Sequence, residues 1–225
     1  MSASGTSGII TAISALIGGT LAVFAGKLWE SLDARKSERH FLATQYFCQL
    51  QFSAQALDDR LDNLLSKSGA TIMDDQYRRV TTLYTFACPL ALERIFVLDG
   101  VYSQIHNRYI KLGQKLRRLS LDGQLTGFNF HRYHRVALAE CAIERDDSRL
   151  RLATYFEFRD RYEKAIAKNE EWIESAQVFA DHITSEEYRE RMQQIQDSLK
   201  SIARELVRFT KLESKGHRVF EFWGA

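Results

Sequence analysis

Residues 184–209 read TSEEYRERMQQIQDSLKSIARELVRF, and this stretch decides the fold class. Its apolar residues recur at alternating intervals of four and three positions, which is typical of the a/d seam of a helix that packs along its length. The stretch begins with a capping box, Thr184 to Glu187, and the helix is expected to end near Lys215-Gly216. The seam comprises Tyr188, Met192, Ile195, Leu199, Ile202, Leu206 and Phe209.

A second seam lies near the beginning of the chain and predicts a helix that ends near Lys67, before Ser68-Gly69. Its spacing of 3-4-3-4-3 matches the first seam, so the two can pack within one chain. We favour this intramolecular bundle over a coiled coil between chains. The second seam comprises Phe47, Leu50, Ala54, Leu57, Leu61 and Leu64.

Composition supports an all-α fold for the rest of the chain. The 225 residues include one proline and are 45% hydrophobic, which favours long helices around a buried core. A second helical region is expected over Asp74–Asn107, interrupted at Pro89, because proline lacks a backbone donor. Its uncharged run TTLYTFACPLAL is too short to span a bilayer and predicts a core helix.

Further helices follow with less regular spacing. Residues 108–127 suggest one short helix and a loop, and Phe130–Glu144 a third helical region. Residues 149–153 alternate as a short extended segment. A capping box at Thr154 and Glu157 then opens a helix that could run to His182.

The N-terminal stretch GIITAISALIGGTLAVFAGKLWE, residues 8–30, predicts a transmembrane helix. No charged residue precedes Lys27, and Ile9–Trp29 would span about 31 Å as a helix, close to the thickness of a hydrocarbon core. The alternatives are a cleaved export signal and a buried soluble helix. A signal would need a basic region ahead of the apolar run, and none is present.

Charges flanking the apolar stretch predict its orientation and the domain organisation. Lys27, Arg35, Lys36 and Arg39 follow it, whereas the tail MSASGTS carries no Lys or Arg. The positive-inside rule therefore puts the N-terminus outside the cell membrane. We predict an external tail over 1–7, a single-pass membrane helix over 8–29 and a cytoplasmic helical domain over 30–225.

Small residues recur along the predicted membrane helix at spacings that allow helices to approach closely. This face could make the chain a homo-oligomer, or it could reflect only the ordinary abundance of Gly and Ala in membrane helices. It comprises Ala15, Gly18, Gly19, Ala22 and Gly26.

A basic patch is predicted between Gly100 and Ala139, where seven cations stand against the single acid Asp122, with aromatic residues interleaved. Such a patch could bind anionic lipid headgroups, or a nucleotide or nucleic acid, or be an ordinary solvated face. We favour lipid because the chain is predicted to be tethered beside a membrane. The cations are Arg108, Lys111, Lys115, Arg117, Arg118, Arg132 and Arg135.

No metal or cofactor site is predicted. His131 and His134 are three positions apart, with Glu140 and Glu144 on the same predicted helix, but no second His/Glu pair accompanies them. Cys48, Cys88 and Cys141 lie in apolar surroundings without a CxxC pattern, and we interpret them as buried free thiols.

The spacing Arg35-x-x-x-x-His40 resembles the R-x(4–6)-H pattern of HEPN-type helical ribonucleases. That resemblance implies a histidine acting on the ribose hydroxyl and an arginine stabilising phosphate charge. It covers six residues, one or two turns from the predicted membrane, and we carry no catalytic residue over from it.

These observations favour a membrane-anchored helical adaptor, sensor or assembly module that binds membrane lipids and an unidentified protein partner. One alternative is an oligomeric, pore-forming effector controlled by a ligand on the cytoplasmic bundle. A helical enzyme such as a HEPN-like ribonuclease is the other. No nucleotide-binding or hydrolase motif supports an enzyme.

Overall fold

The computed structural model describes residues 27, 30, 31, 37, 41, 43–66, 75–102, 110–126, 128–146 and 149–214. It divides the chain into two compact units, Met1–Leu42 and Ala43–Ala225. Apart from Lys27, the predicted membrane helix 8–29 lies outside the described residues, as do Ala15, Gly18, Gly19, Ala22, Gly26, Arg35 and His40. The described part of the second unit is predominantly helical, which confirms the all-α class.

A π-helical turn at Ala43–Phe47 leads into α1 (Cys48–Leu65). It is followed by α2 (Asp75–Leu98), α3 (Ile110–Arg118), α4 (Leu121–Gln124) and α5 (Arg132–Cys141). An antiparallel hairpin pairs β1 (Ile143–Asp146) with β2 (Arg149–Leu152). The last described elements are α6 (Tyr155–Ala167), α7 (Glu171–His182) and α8 (Glu186–Ser214).

The two predicted seams pack against each other within the second unit, α1 running antiparallel to α8. The rings of Phe47 and Phe209 meet edge to face at one end, with centroids 5.0 Å apart. Further along, the Gln196 side chain donates to the Asp62 carboxylate at 2.7 Å. The intramolecular seam is therefore confirmed. Its buried residues are Phe47, Leu50, Ala54, Leu57 and Leu61 on one side and Met192, Ile195, Leu199, Ile202, Leu206 and Phe209 on the other.

α2 is the core helix of the bundle, and it runs through Pro89 without the predicted interruption. Proline removes one backbone donor, but the residues around it, from Phe86 to Leu92, are all buried. Burial of that apolar surface outweighs one lost hydrogen bond. α2 ends at Leu98, where Gly100 adopts a left-handed φ of 68°. Val101 and Tyr102 are helical again, and the rest of the predicted region, to Asn107, lies outside the described residues.

By length and composition alone, α2 could also cross a membrane, and 67% of its most apolar window is buried inside the structure. Its buried side chains contact the neighbouring helices: Phe86 packs on Phe179 of α7 and Phe96 on Phe47, with ring centroids 5.2 Å and 6.0 Å apart. These contacts are those of a core helix, as the short uncharged run predicted.

The predicted helix over Phe130–Glu144 is wrong at both ends. The helix covers Arg132–Cys141, and Glu144 lies in β1, paired with Arg151 of β2. The sequence showed the extended character of β2 but not its partner, because strand pairing depends on contacts between separate segments.

The capping box at the start of α6 is confirmed. The Thr154 amide donates to the Glu157 carboxylate at 2.7 Å, and the Glu157 amide donates to the Thr154 hydroxyl at 3.4 Å. The helix does not continue to His182, however. Asn169, with a left-handed φ of 52°, separates α6 from α7.

Truncation of the seam tests the packing of α1 on α8. Leu57 is 0% exposed, so Leu57→Ala should lower the free energy of unfolding by about 2–5 kcal/mol through lost burial and the cavity left behind. Phe52 lies on the same helix but is 69% exposed, and Phe52→Ala should change it by less than about 0.5 kcal/mol. Urea unfolding followed by circular dichroism measures both. Equal effects would contradict the seam.

Candidate anion-binding face on α3

The outward face of α3 gathers three of the predicted basic residues. Gly113 and Leu116 are buried, and they hold the opposite side of the helix against the bundle. Positions three, four and seven apart share one side of a helix. The exposed residues therefore form one face, hereafter the α3 basic face, comprising Ile110, Lys111, Gln114, Arg117 and Arg118.

Aromatic contacts connect the α3 basic face to the end of α2. The Arg117 guanidinium lies over the Tyr102 ring, 5.3 Å from its centroid. Tyr102 in turn meets Phe96 edge to face, with centroids 5.8 Å apart. The cation–π contact orients Arg117 while leaving it exposed to a ligand.

Lys115 belongs to the predicted patch but serves to hold α3 on α8. Its ammonium is 2.7 Å from the Glu205 carboxylate, which Arg208 also contacts at 2.9 Å. The hydrogen bond from Lys115 lowers the pKa of Glu205, with the charges of Lys115 and Arg208 acting in the same direction. Lys115 is therefore already paired within the protein.

The predicted cations on α5 do not join the α3 basic face. Arg135 is buried, and it donates to the Asp122 carboxylate at 2.7 Å and to the Phe130 carbonyl at 2.5 Å. Arg132 is exposed, with Asp122 3.8 Å away. Arg108 lies outside the described residues. Whether any of these cations binds an anion stays a prediction.

Glu93 fixes the turn between α3 and α4, a role that the sequence did not reveal. Its carboxylate accepts hydrogen bonds from the Ser120 hydroxyl at 2.7 Å and from the amides of Leu121 at 2.7 Å and Asp122 at 3.3 Å. Burial nevertheless raises the pKa of Glu93 to about 7, against the opposing effect of these three donors. The sequence feature that could have indicated this role was a carboxylate directly after the uncharged run TTLYTFACPLAL.

The histidines of the predicted third helix have different environments. His131 is exposed, whereas His134 is buried, and its two ring nitrogens have no hydrogen-bond partner among the described residues. Burial lowers the pKa of His134, which favours the neutral ring. Its neighbour Tyr133 donates to the Glu171 carboxylate at 2.9 Å.

These side chains do not form a metal site in the described part of the chain. Glu144, predicted to share a helix with the histidines, lies in β1 instead. No group of three or more His, Cys, Asp or Glu side chains with metal-binding geometry occurs among the described residues.

The three cysteines are free, with Cys88 and Cys141 buried and Cys48 half-buried. Burial raises the pKa of the Cys88 thiol to about 11 and that of the Cys141 thiol to about 12. Both side chains therefore remain protonated thiols, as expected of small apolar residues in a core.

A groove of about 470 Å³ lies between α1 and α8. Its apolar floor comes from Ala54, Leu199 and Ala203, and its edge carries Lys200 and Arg204. Lys200 is 3.5 Å from the Asp58 carboxylate. The small side chains leave space here without interrupting the seam.

No protein-family model matches this chain, and no curated protein or solved structure proved similar to it. The function is therefore argued from the residues and their arrangement.

Burial raises the pKa of Glu93, and its three hydrogen bonds lower it. The net effect can be measured through the pH dependence of the free energy of unfolding. A carboxyl whose pKa is raised on folding contributes stability below its unfolded pKa and loses it as pH rises through the folded value. From about pH 5 to pH 8, the wild type should therefore lose roughly 1 to 3 kcal/mol of unfolding free energy relative to Glu93→Gln. Denaturant unfolding at several pH values measures the difference. A wild type that gains stability over this range would show that the three donors outweigh burial.

Proposed function

We propose that this chain is a membrane-anchored helical adaptor or assembly module, with no catalytic role assigned to any residue. Residues 8–29 form the anchor, the N-terminus lies outside, and residues 30–225 are a cytoplasmic helical domain. The observation that carries the proposal is the 26-residue start without a charged side chain, followed by Lys27, Arg35, Lys36 and Arg39.

The packing of the bundle supports an adaptor whose partner binds its outer surface. The seams of α1 and α8, which could have joined two chains, are buried against each other. A partner would then use exposed features such as the α3 basic face or the groove between α1 and α8. The free thiols of Cys88 and Cys141 are compatible with a reducing cytoplasm.

One sequence feature favours a second candidate, a pore-forming effector that assembles through its membrane helices. Ala15 with Gly19, and Gly18 with Ala22 and Gly26, have the spacing of closely packed membrane helices. This candidate predicts a large oligomer in detergent and ion leakage on overexpression, whereas an adaptor predicts neither.

Membrane association can be tested by comparing the full chain with a variant lacking residues 8–29. The full chain should stay in the membrane pellet after an alkaline carbonate wash and require detergent for release. The shortened chain should move to the soluble fraction, because it lacks the apolar span. Recovery of the full chain without detergent would end the proposal.

Orientation needs a separate measurement on the full chain. A protease added outside intact cells should remove an N-terminal tag and leave the helical domain protected. Exchanging the flanking charges, with Ser2, Ser4 and Thr6 changed to Lys and Arg35, Lys36 and Arg39 to Ser, should reverse that pattern. Protection of the tag in the unaltered chain would contradict the orientation.

A further inference from the structure

We propose that the end of the bundle formed by the C-terminus of α2 and the α3 basic face lies on the membrane surface and binds anionic lipid headgroups. This inference rests on the proposed function, because the anchor brings this end to the bilayer. It assigns a partner to a surface made by separate parts of the sequence.

Large aliphatic side chains are exposed at this end. Val97 and Leu98 close α2 with 59% and 45% of their surface exposed, and Ile110 opens α3 with 50% exposed. The contact series Phe96–Tyr102–Arg117 places the end of α2 beside the C-terminal turn of α3, and Ile110 lies on the same face of α3 as Arg117. Exposed aliphatic groups next to cations are typical of surfaces that enter the boundary between headgroups and acyl chains.

The chain from the proposed anchor joins the bundle at this same end. The Tyr46 hydroxyl, just before α1, donates to the Asp99 carboxylate at 3.0 Å, and Phe47 packs on Phe96. Residues 30–42 separate the anchor from this point and can reach about 20 Å as a helix or about 45 Å when extended. This end is therefore the part of the bundle that the chain from the anchor reaches first.

The charges at this end suit an anionic leaflet. Lys111, Arg117 and Arg118 are exposed on the α3 basic face, and each basic residue near such a leaflet strengthens binding roughly fivefold. Asp99 is also at this end and accepts the hydrogen bond from Tyr46, while Glu205 is paired with Lys115. Among the side chains that the structure describes at this end, cations therefore predominate.

The aliphatic residues favour a bilayer over a nucleic acid. Single-stranded nucleic acids stack their bases on exposed aromatic rings beside a cationic groove. Val97, Leu98 and Ile110 offer no ring, and Tyr102 is already engaged with Phe96 and Arg117. A lipid interface can contact both parts of this surface: the aliphatic side chains insert between the lipids, and the cations bind the anionic headgroups.

Hydrogen exchange of the full chain in lipid nanodiscs tests this proposal. Exchange of the α3 amides should be at least about fivefold slower in discs of phosphatidylcholine mixed with phosphatidylserine than in phosphatidylcholine alone, because one basic contact accounts for roughly that factor. Raising the salt concentration from about 0.1 M to about 1 M should remove the difference by screening. The salt titration uses the unaltered chain and so does not depend on the folding of a variant.

Two pairs of variants separate this surface from general effects of charge and polarity. Lys111→Glu, Arg117→Glu and Arg118→Glu together should abolish the lipid dependence. Arg159→Glu, Lys164→Glu and Lys168→Glu, exposed on α6 and just after it, should preserve it. Val97→Asn with Leu98→Asn should weaken protection of α3 in the mixed discs. Phe156→Asn with Val178→Asn, exposed elsewhere, should leave it unchanged.

Three results would overturn the proposal. Equal exchange of α3 in both lipids, in chains that have entered the discs, would rule out the headgroup contact while leaving the anchor intact. Protection that rises with the number of chains per disc, regardless of lipid, would assign the surface to a second copy. Failure of the chain to enter any disc would overturn the proposed anchor, and this inference with it.

Discussion

The antiparallel contact between α1 and α8 is the constraint on which the rest of the structure depends. It joins two helices that are 120 residues apart between Leu65 and Glu186, so every intervening element must fold within the space that the contact leaves. The edge-to-face contact of Phe47 with Phe209 and the hydrogen bond from Gln196 to Asp62 fix which parts of the two helices meet. A polar side chain inside an apolar seam disfavours other registers, because sliding would leave it unpaired.

α2 connects the contact between α1 and α8 to the α3 basic face. Its Phe96 contacts both Phe47 of the seam and Tyr102 of the segment after it, and its Glu93 accepts the donors that begin α4. The C-terminal end of α3 is therefore held by one helix, through ring contacts and through the half-buried carboxylate of Glu93. The exposed cations of α3 are carried by a firmly held element, although the helix itself is only nine residues long.

The sequence predicted the features that are encoded locally. Both seams follow helical periodicity, and the Thr154 capping box depends on residues three positions apart, so neither needs knowledge of the rest of the chain. The continuity of α2 through Pro89 and the pairing of Glu144 in β1 depend on distant contacts and were not predicted. At the candidate site, the excess of basic residues in the sequence identified the cations of α3. It could not show that Arg135 is buried against Asp122.

The antiparallel seam also has a mechanical consequence. A pull on the chain at Ala43 along α1, opposed at the Glu186 end of α8, would load the contact between the two helices in shear, because both helices would lie parallel to the force. Their packed side chains and the hydrogen bonds of Gln196 would then have to yield together rather than one after another. A helix peeled away sideways would instead lose its contacts singly. Resistance at this seam is therefore greatest for a force directed along the two helices.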